Sequence, residues 1–171
     1  MREVYRGRIV RLVLEDVDLP NGKTATFEVV HHPGAAAIVA LDGDGSVVLL
    51  RQFRHAAGGY IWEIPAGTLG AGEPPADCAR RELREETGLD AARWTPLGRI
   101  VTAPGFCDER IHLYLARDLS QAEQQLDADE ILTVSRVPFA RALEMIASGD
   151  IEDAKSIAAL HLAQYAVRAG Q

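Results

Sequence analysis

The chain has 171 residues, of which 47% are hydrophobic and 25% are charged, a composition typical of one globular domain with a well-buried core. Its formal net charge of −7 and pI near 5.2 argue against a nucleic-acid-binding surface, which would normally carry a basic patch. An anionic substrate would therefore need a metal ion to offset the acidic field of the protein.

No stretch of the sequence has the length and apolarity of a membrane span, and residues 1–14 interleave charges instead of forming the apolar centre of a signal peptide. We therefore expect a cytoplasmic protein with no membrane partner. Cys78 and Cys107 are too few and too far apart to indicate a disulfide framework or a zinc site. We predict that both are free thiols.

The first third of the chain predicts two β-hairpins. Residues 7–19 and 24–32 alternate apolar and polar side chains around the turn sequence PNGK, which predicts an N-terminal hairpin. Residues 35–41 and 46–53 are strongly apolar and flank the sequence DGDG, which predicts a second hairpin.

The rest of the chain mixes strands and helices. Further strand candidates are the sequences YIWEIPAG, WTPLGRIVT, RIHLYLARDL and ILTVSRVPF. Two helices, FARALEMIASG and DAKSIAALHLAQYAVRA, are predicted to close the chain, and an acidic helix lies among the strands before them. This order predicts an α/β fold in which a mixed sheet packs between helices, an α/β/α sandwich.

The acidic helix is predicted to span about residues 75–87. Pro75 suits a first helical turn, where the missing N–H would be unsatisfied anyway, and Gly88 suits a left-handed stop. At 100° per residue, three glutamates share one arc at the edge of the apolar face. They are Glu82, Glu85 and Glu86.

Two interpretations of this arc differ in what neutralises it. In the first, the helix is simply exposed and Arg81 pairs with Glu85, a contribution of about 0.2–0.5 kcal/mol. That pairing leaves Glu82 and Glu86 as like charges one turn apart, which is mildly destabilising. In the second, a divalent cation reverses the sign of that repulsion, because Mg²⁺ and Mn²⁺ take carboxylate oxygens as ligands.

The loop before the helix completes a longer motif. Its sequence PAGTLGAGE is rich in glycine but lacks the G-K-[ST] of a phosphate-binding P-loop. Gly67, Glu73 and residues 81–89 match, at every defined position, the box G-x5-E-x7-R-E-U-x-E-E-x-G-U of the Nudix hydrolase superfamily. A chance match is on the order of one in ten million from typical residue frequencies. The resemblance implies a Nudix-type α/β/α sandwich and metal-dependent hydrolysis of a nucleoside diphosphate linked to another moiety.

The same resemblance implies a role for each residue of the box. The implied metal ligands are Glu82, Glu86, Glu85 and the backbone carbonyl of Ala66. Glu85 could alternatively position a water molecule, and Arg81 and Glu73 would orient the carboxylates. The implied cofactor is Mg²⁺, with Mn²⁺ as an alternative ion.

Segments outside the box resemble the ADP-ribose pyrophosphatase branch of the superfamily. Pro104 stands sixteen residues after Gly88 in the setting P-G-F-x-D-E, although a tight turn between strands would explain the proline equally. The segments RQFRHAAGGYIWEIPAG, LDGDGSVVLL and GDIEDAKSIAALHLA are also similar to that branch. The resemblance therefore covers nearly the whole chain.

The substrate-binding residues expected from this branch are Arg54, Arg51, Trp62, Pro104 and Glu109. Arg54 is the preferred anion contact, because a guanidinium fork fits phosphate oxygens. For Arg51 a solvated strand end is an equal alternative. Trp62 could stack on adenine, although an aromatic side chain in such a segment is more often part of a core or an interface.

A carboxylate on a mobile loop completes the site in this branch. The matching loop, QAEQQLDADEILTV, offers Asp127, Asp129 and Glu130, and each of them alone could equally be a solvated acidic side chain. Glu130 directly precedes an apolar strand that would anchor it. We therefore assign Glu130 to metal binding or to orienting the attacking water, with Glu85 and Arg81 as the other catalytic residues.

The implied reaction is hydrolysis of ADP-ribose to AMP and ribose 5-phosphate. Two alternatives remain: hydrolysis of another nucleoside diphosphate sugar, and a catalytically silent Nudix-fold module that senses a ligand. Residues 1–34 resemble an arm that is exchanged between subunits and helps to close the adenine pocket, which predicts a symmetric homodimer. Residues 35–171 would form the Nudix hydrolase domain.

Overall fold

The computed structural model describes residues 1–126, 128 and 130–170. Its strands are β1 (Arg2–Arg6), β2 (Arg11–Asp18), β3 (Thr24–His31), β4 (Ala35–Ala40), β5 (Ser46–Arg54), β6 (Gly59–Glu63), β7 (Ala66–Thr68), β8 (Leu89–Val101), β9 (Arg110–Gln121) and β10 (Leu132–Pro138). Its helices are α1 (Pro75–Thr87), α2 (Phe139–Ser148) and α3 (Ala154–Arg168), and a 3₁₀ turn spans His55–Ala57.

The acidic helix α1 has the boundaries that its sequence predicts. Pro74 is extended with φ −64° and ψ 137°, and Pro75 opens the first turn. At the other end Gly88 adopts a left-handed conformation with φ 67° and ψ 32°, and its amide donates to the Arg84 carbonyl at 2.9 Å. Glycine favours this conformation because it has no Cβ. The predicted helix is therefore confirmed at both ends.

Strand β4 lies at the centre of the fold. It belongs to a four-stranded mixed sheet with the order β7-β4-β9-β8, in which it runs parallel to β9 and antiparallel to β7. All 6 of its residues are buried. A strand covered on both faces needs a continuous apolar run, which is why the sequence AAAIVA occupies this place.

The second predicted hairpin is confirmed only next to its turn, where Leu41 and Val47 form a single antiparallel bridge. Strands β4 and β5 leave the DGDG turn for different sheets, because β5 lies in a three-stranded sheet with the order β10-β5-β6. The turn itself closes as predicted, with the Asp42 amide donating to the Ser46 carbonyl at 2.8 Å. The Leu41 amide, however, donates to the Ala116 carbonyl at 2.9 Å. The chain entering the turn is therefore paired with β9, and the two strands separate.

Two hydrophobic cores lie on opposite faces of the four-stranded sheet. Because successive side chains of a strand point to opposite faces, residues 36, 38 and 40 of β4 pack with α1 and residues 35, 37 and 39 pack with α2 and α3. Helices thus cover both faces of the mixed sheet. The predicted α/β/α sandwich is confirmed.

Strands β1, β2 and β3 form a separate antiparallel sheet, which we call the arm sheet. The predicted pairing of β2 with β3 around PNGK is confirmed, with Asp18 opposite Thr24 at the turn. Strand β1 is an additional strand that pairs with β2 and was missed by the sequence prediction. Large exposed apolar side chains of the arm sheet and its turns are Val4, Tyr5, Ile9, Val10, Val17 and Phe27.

The arm sheet is joined to the loop after β8. The Val30 amide donates to the Phe106 carbonyl at 2.7 Å, and the Asp108 amide donates to the Val30 carbonyl at 3.1 Å. A side-chain contact adds to these bonds, with His31 Nδ1 lying 2.5 Å from Asp108 Oδ2. This attachment fixes the position of Glu109, the next residue along the chain.

Two expectations from composition concern thiols and membranes. Cys78 is buried and Cys107 is partly buried, and both are free, as predicted. In the described ranges of the chain, no helix combines the length and apolarity needed to cross a membrane.

A buried hydroxyl fixes the first turn of α3 to the sheet. Ser156 is fully buried, and its Oγ accepts a hydrogen bond from the Ile64 amide at 2.9 Å while donating one to Asp153 Oδ2 at 2.5 Å. Asp153 caps α3 by accepting from the Ser156 amide at 2.9 Å. These bonds hold the N-terminus of α3 beside the segment between β6 and β7.

We expect the substitution Ser156→Ala to lower the free energy of unfolding by about 1–3 kcal/mol, because it leaves the Ile64 amide buried without its acceptor. Urea unfolding followed by circular dichroism measures the loss. The control is Ser148→Ala at the exposed end of α2, for which a change within about 0.5 kcal/mol is expected. A loss no larger than that of the control would contradict the anchoring role of Ser156.

Candidate active site

A cleft of about 700 Å³ is lined by residues of the four-stranded sheet β7-β4-β9-β8 and of the three-stranded sheet β10-β5-β6. Its walls come from β5, β7, α1, the first turn of α3 and the turn between β1 and β2. Pockets for small molecules typically measure about 300–1,000 Å³. Charged side chains that line it are the carboxylates of Glu82, Glu85, Glu109, Glu130 and Asp153 and the cations of Arg8, Arg54, Arg81 and Lys155.

Two carboxylates of α1 are buried where the helix meets β7. Glu86 is 1% exposed and Glu82 is 7% exposed. Glu86 Oε2 accepts a hydrogen bond from the Ala66 amide at 2.8 Å. Burial raises the pKa of both carboxyls, that of Glu86 well above its ordinary value, and the nearby charge of Glu130 raises both pKa values further. A cation placed between them would favour their ionised forms.

The backbone of β7 presents Ala66 to this pair. The Ile38 amide donates to the Pro65 carbonyl at 2.8 Å, and hydrogen-bonded pairs alternate along antiparallel strands. Ala66 therefore occupies a non-bonded position, and both its N–H and its C=O point away from β4. Since the N–H reaches Glu86, the carbonyl lies on the same side of β7 as the carboxylates, where a backbone metal ligand would have to lie.

Gly67 is required by the close approach of Glu82. A Cβ atom at position 67 would lie 1.9 Å from the Glu82 carboxylate. The carboxylate can thus lie against the strand backbone because this residue has no side chain. The first glycine of the sequence motif has a steric role in shaping the site.

Arg81 joins the carboxylates of the motif. Its guanidinium binds both oxygens of Glu73 at 2.8 and 2.9 Å, and its Nη1 donates to Glu82 at 2.6 Å and to Glu85 at 2.9 Å. The hydrogen bonds from Arg81 lower the pKa of Glu73 to about 2. Hydrogen bonds with Glu73 in turn raise the pKa of Arg81. The two residues predicted to orient the site are therefore in direct contact with each other and with Glu82 and Glu85.

The donor set suits a hard divalent cation. Two buried carboxylates, a half-exposed third and a backbone carbonyl are oxygen ligands of the kind that Mg²⁺ and Mn²⁺ bind. Among the described residues, no three acidic, histidine or cysteine side chains already surround one point. The guanidinium of Arg81 instead bridges Glu82 and Glu85. Arg81 therefore holds these two carboxylates at one end of the donor set.

The opposite wall carries two cations held by a buried carboxylate. Glu63 is 2% exposed. It accepts from Arg54 Nε at 3.0 Å and Nη2 at 2.8 Å, and Lys155 Nζ lies 3.1 Å from the same side chain. Lys155 also lies 3.0 Å from Asp153. The carboxylates thus hold the Arg54 and Lys155 side chains in fixed positions at the cleft.

Most of the predicted site residues meet in this cleft. Those that line it are Arg54, Ala66, Arg81, Glu82, Glu85, Glu109 and Glu130. Glu86 is buried behind Ala66, to which it is hydrogen-bonded. Asp127 and Asp129 lie outside the described residues.

Three predicted substrate-binding residues, Arg51, Trp62 and Pro104, are not among the described residues that line the cleft. Strand alternation turns Arg51 to the face of β5 opposite to Arg54. There its guanidinium carbon lies 5.5 Å from the centroid of the Trp62 ring, a cation–π contact, and Trp62 packs against a core. Pro104 is exposed in the loop after β8. Their role in substrate binding stays a prediction.

The sequence prediction missed other cleft residues, notably Arg8, Gln52 and Lys155. A usable signal existed for Gln52, because it precedes Arg54 by two residues in a strand and therefore shares its face. The positions of Arg8 and Lys155 depend on how the arm sheet and α3 pack against the core. Nothing in the sequence near these two residues indicates that packing.

An α/β/α sandwich in which an acidic helix follows a glycine-containing strand and loop defines the class of Nudix-fold proteins. A model of the NUDIX domain matches residues 30–160. The chain belongs to the NUDIX family.

Comparisons with known proteins agree with this assignment. An ADP-ribose pyrophosphatase of Bacillus subtilis (strain 168) is 42% identical over 164 residues, which cover 95% of this chain and 89% of the relative. A methanol dehydrogenase activator of Bacillus methanolicus is 41% identical over 164 residues, which again cover 95% of this chain and 89% of the relative. A crystal structure of an ADP compounds hydrolase superimposes with a TM-score of 0.85 at 24% identity, covering 99% of this chain and 92% of that one. The last comparison confirms the fold.

We expect Glu86→Gln to weaken Mn²⁺ or Mg²⁺ binding at least tenfold and to stabilise the metal-free protein at pH 7. Burial raises the pKa of Glu86 well above its ordinary value of 4.5. The protonated carboxyl therefore stabilises the folded protein fully below pH 4.5, and this stabilisation is lost as the pH rises through the raised pKa. The neutral amide avoids this loss. Calorimetric titration with metal and thermal unfolding in chelator measure the two effects.

The stability advantage of Glu86→Gln should shrink as the pH falls from the raised pKa of Glu86 toward 4.5, and it should be absent below 4.5, where the wild-type carboxyl is protonated as well. The control is Glu144→Gln on α2, whose side chain is 66% exposed. Unchanged metal affinity in the Glu86 variant would contradict the prediction that Glu86 is a metal ligand.

We expect Gly67→Ala to displace the Glu82 carboxylate and to reduce metal affinity at least tenfold, because the added Cβ would overlap that group. The control is Gly43→Ala in the DGDG turn, where an added Cβ meets nothing within 4 Å. Calorimetric titration of both variants with Mn²⁺ gives the comparison. If the two variants bind metal equally well, the steric role of Gly67 is wrong.

Proposed function

We propose that this protein is a metal-dependent hydrolase that cleaves the pyrophosphate of ADP-ribose to AMP and ribose 5-phosphate. The observation that carries the proposal is a cleft of about 700 Å³ with the carboxylates of α1 on one wall and Arg54 and Lys155 on another. A pyrophosphate in this cleft would be neutralised by a metal on one side and by the two cations on the other. The identity of 42% with an ADP-ribose pyrophosphatase supports the choice of substrate.

The proposed metal ligands are Glu82, Glu86, Glu85 and the carbonyl of Ala66. When bound, Mg²⁺ or Mn²⁺ would supply charge neutralisation at the phosphate oxygens and lower the pKa of a bound water. The burial of Glu82 and Glu86 and the fixed position of Ala66 support this assignment. Arg81 and Glu73 keep the exposed end of the ligand set in place.

Arg54 and Lys155 orient the diphosphate. Both side chains are restrained by Glu63, so little conformational entropy remains to be lost when they bind an anion. A guanidinium presents paired donors that match phosphate oxygens, and an ammonium adds a point charge beside it. The reacting phosphorus is thereby held close to the carboxylate wall.

Glu130 is the proposed group that orients the attacking water or completes the metal site. It lines the cleft just before β10, and its negative charge raises the pKa values of Glu82 and Glu86. This electrostatic coupling supports a position close to both proposed metal ligands. The two other candidates, Asp127 and Asp129, lie outside the described residues.

Two alternatives concern the substrate and the chemistry. A different nucleoside diphosphate sugar would fit the same pyrophosphate site, because the box residues contact only that part of the ligand. A silent ligand-sensing module would use the cleft without turnover. The complete set of box carboxylates favours an enzyme over such a module, because binding alone does not require them.

The test is a panel of candidate substrates incubated with the protein and Mg²⁺: ADP-ribose, GDP-mannose, NADH, diadenosine polyphosphates and oxidised nucleotides. Chromatography should identify AMP and ribose 5-phosphate as products of ADP-ribose. Faster turnover of GDP-mannose would favour the other nucleotide sugar. Binding without turnover of any member would favour the sensing module, and full activity in excess chelator would overturn the metal proposal.

We expect Glu130→Gln to lower kcat by about 10²–10⁴, the usual contribution of general-base or water-positioning groups, with a small change in KM. Steady-state kinetics at saturating Mg²⁺ should be compared with Asp127→Asn, Asp129→Asn and the exposed control Glu144→Gln. If either aspartate variant loses far more kcat than the Glu130 variant, the assignment of Glu130 is wrong.

The arm sheet is the proposed dimerisation element, with residues 1–34 as the arm and 35–171 as the hydrolase domain of one unit. Its exposed apolar side chains support association, since such groups on one element are typical of an interface. Arg8 and Ile9 of the turn between β1 and β2 line the cleft of their own chain. This position supports a role for the arm in closing the nucleotide pocket.

We expect light scattering to give twice the chain mass of 18.6 kDa, because a symmetric dimer would bury the apolar side chains of the arm. Phe27→Asp should shift the protein toward the monomer by placing a charge in that interface. The control is Tyr165→Asp on α3, which changes an exposed aromatic outside the arm. A wild-type monomer at working concentrations would rule out the dimer.

The proposed partners are therefore a nucleoside diphosphate sugar and a second copy of the chain, with neither nucleic acid nor membrane. The net charge of −7 supports the exclusion of nucleic acid. We propose a cytoplasmic location, which the two free thiols support because reducing compartments keep cysteines unpaired.

A further inference from the structure

Gln52 combines deep burial with an unused hydrogen-bond acceptor. Gln52 is 3% exposed, and its carboxamide oxygen, Oε1, has no hydrogen-bond partner among the described residues. A buried polar atom without a partner destabilises the folded state, and native proteins contain few of them. Such an atom therefore requires an explanation.

The place of Gln52 in the fold supplies one. The residue lies in the middle strand of the sheet β10-β5-β6, paired with Ile61 on one side and Leu132 on the other. Its backbone groups are thus committed to the sheet, while its side chain lines the cleft on the same strand face as Arg54. The Phe53 amide donates to the Ile131 carbonyl at 2.9 Å, so the same register places Glu130 across from Arg54. Gln52 is therefore two residues along β5 from the proposed anion contact, at the edge of the site that faces the proposed water-orienting group.

The chemistry of the neighbours limits what Gln52 can bind. The nearby acidic side chain Glu63 is occupied by Arg54 and Lys155, and Glu82 and Glu85 of α1 are paired with Arg81. Gln52 differs from these groups because it is neutral. A carboxamide oxygen accepts a hydrogen bond from a hydroxyl or an amine without adding charge to an already charged cleft.

We propose that Gln52 is a substrate-binding residue whose carboxamide oxygen accepts a hydrogen bond from a neutral donor of the bound nucleoside diphosphate sugar. The donor is a ribose hydroxyl or the exocyclic amine of the base. This inference rests on the proposed function, because it requires a ligand with such donors in the cleft. A ligand without the donor would leave the oxygen unpaired and would be discriminated against.

The proposal predicts opposite signs for stability and binding. Gln52→Met has a similar shape but lacks the amide, so the free protein should unfold at a higher temperature than the wild type. Affinity for ADP-ribose in excess chelator should instead fall roughly tenfold, equivalent to about 1.4 kcal/mol. A residue with a purely structural role would give the reverse, a lower unfolding temperature with proportionate changes for all ligands.

The experiment uses isothermal titration calorimetry without metal, so that its readout does not depend on turnover. AMP compared with IMP tests the base amine, and ribose 5-phosphate compared with 2-deoxyribose 5-phosphate tests one sugar hydroxyl. If the wild type binds the two members of a pair with different affinities and Gln52→Met binds them with equal affinity, the group that differs within that pair is the donor. The control is Gln121→Met at the exposed end of β9, which should bind every ligand as the wild type does.

The outcomes separate this inference from the proposed function. Unchanged ADP-ribose affinity in Gln52→Met overturns the Gln52 assignment and leaves the hydrolase proposal intact. No turnover in the substrate panel, combined with weaker nucleotide binding by the variant, overturns the hydrolase proposal alone. A wild-type protein that binds no member of the panel overturns both.

Discussion

Burial of two carboxylates against the backbone of β7 is the constraint on which the rest of the site depends. Ionised carboxylates are costly to bury without partners, and Glu82 and Glu86 are tolerated because the fold brings compensating groups to them. The Ala66 amide, the bare backbone of Gly67 and the guanidinium of Arg81 each contribute. The same arrangement leaves the pair with raised pKa values, which makes it a receptive place for a cation.

Local sequence signals predicted the elements that depend on local interactions. The bounds of α1 follow from Pro75 and Gly88, whose backbone preferences act within one turn, and both ends are confirmed. The DGDG turn was also predicted, but the pairing of its flanking strands was not. That pairing depends on β9, which is distant in the sequence and binds β4 in parallel. Competition between partners of this kind cannot be read from a turn.

The candidate site also has one part that the sequence predicts and one part that depends on contacts between distant segments. The motif residues on β7 and α1 meet because one loop and one helix carry all of them, so their spacing in the sequence determines their spacing in the fold. The β5 and α3 side of the cleft is different. Which of Arg51, Gln52 and Arg54 enters it depends on the register of β5 within its sheet, and Lys155 arrives only through the packing of α3 on Glu63. Residue type alone does not carry that information.

The covered position of Cys78 has a consequence for chemical reactivity. Its sulfur lies under β7, 3.5 Å from the Gly67 carbonyl, and burial together with the charge of Glu82 raises its pKa to about 12. Thiolates, not thiols, react with peroxides and alkylating agents. Cys78 lies directly beneath the carboxylate cluster but is shielded from electrophiles. Oxidative stress should therefore modify the more accessible Cys107 first and leave the cleft chemically intact.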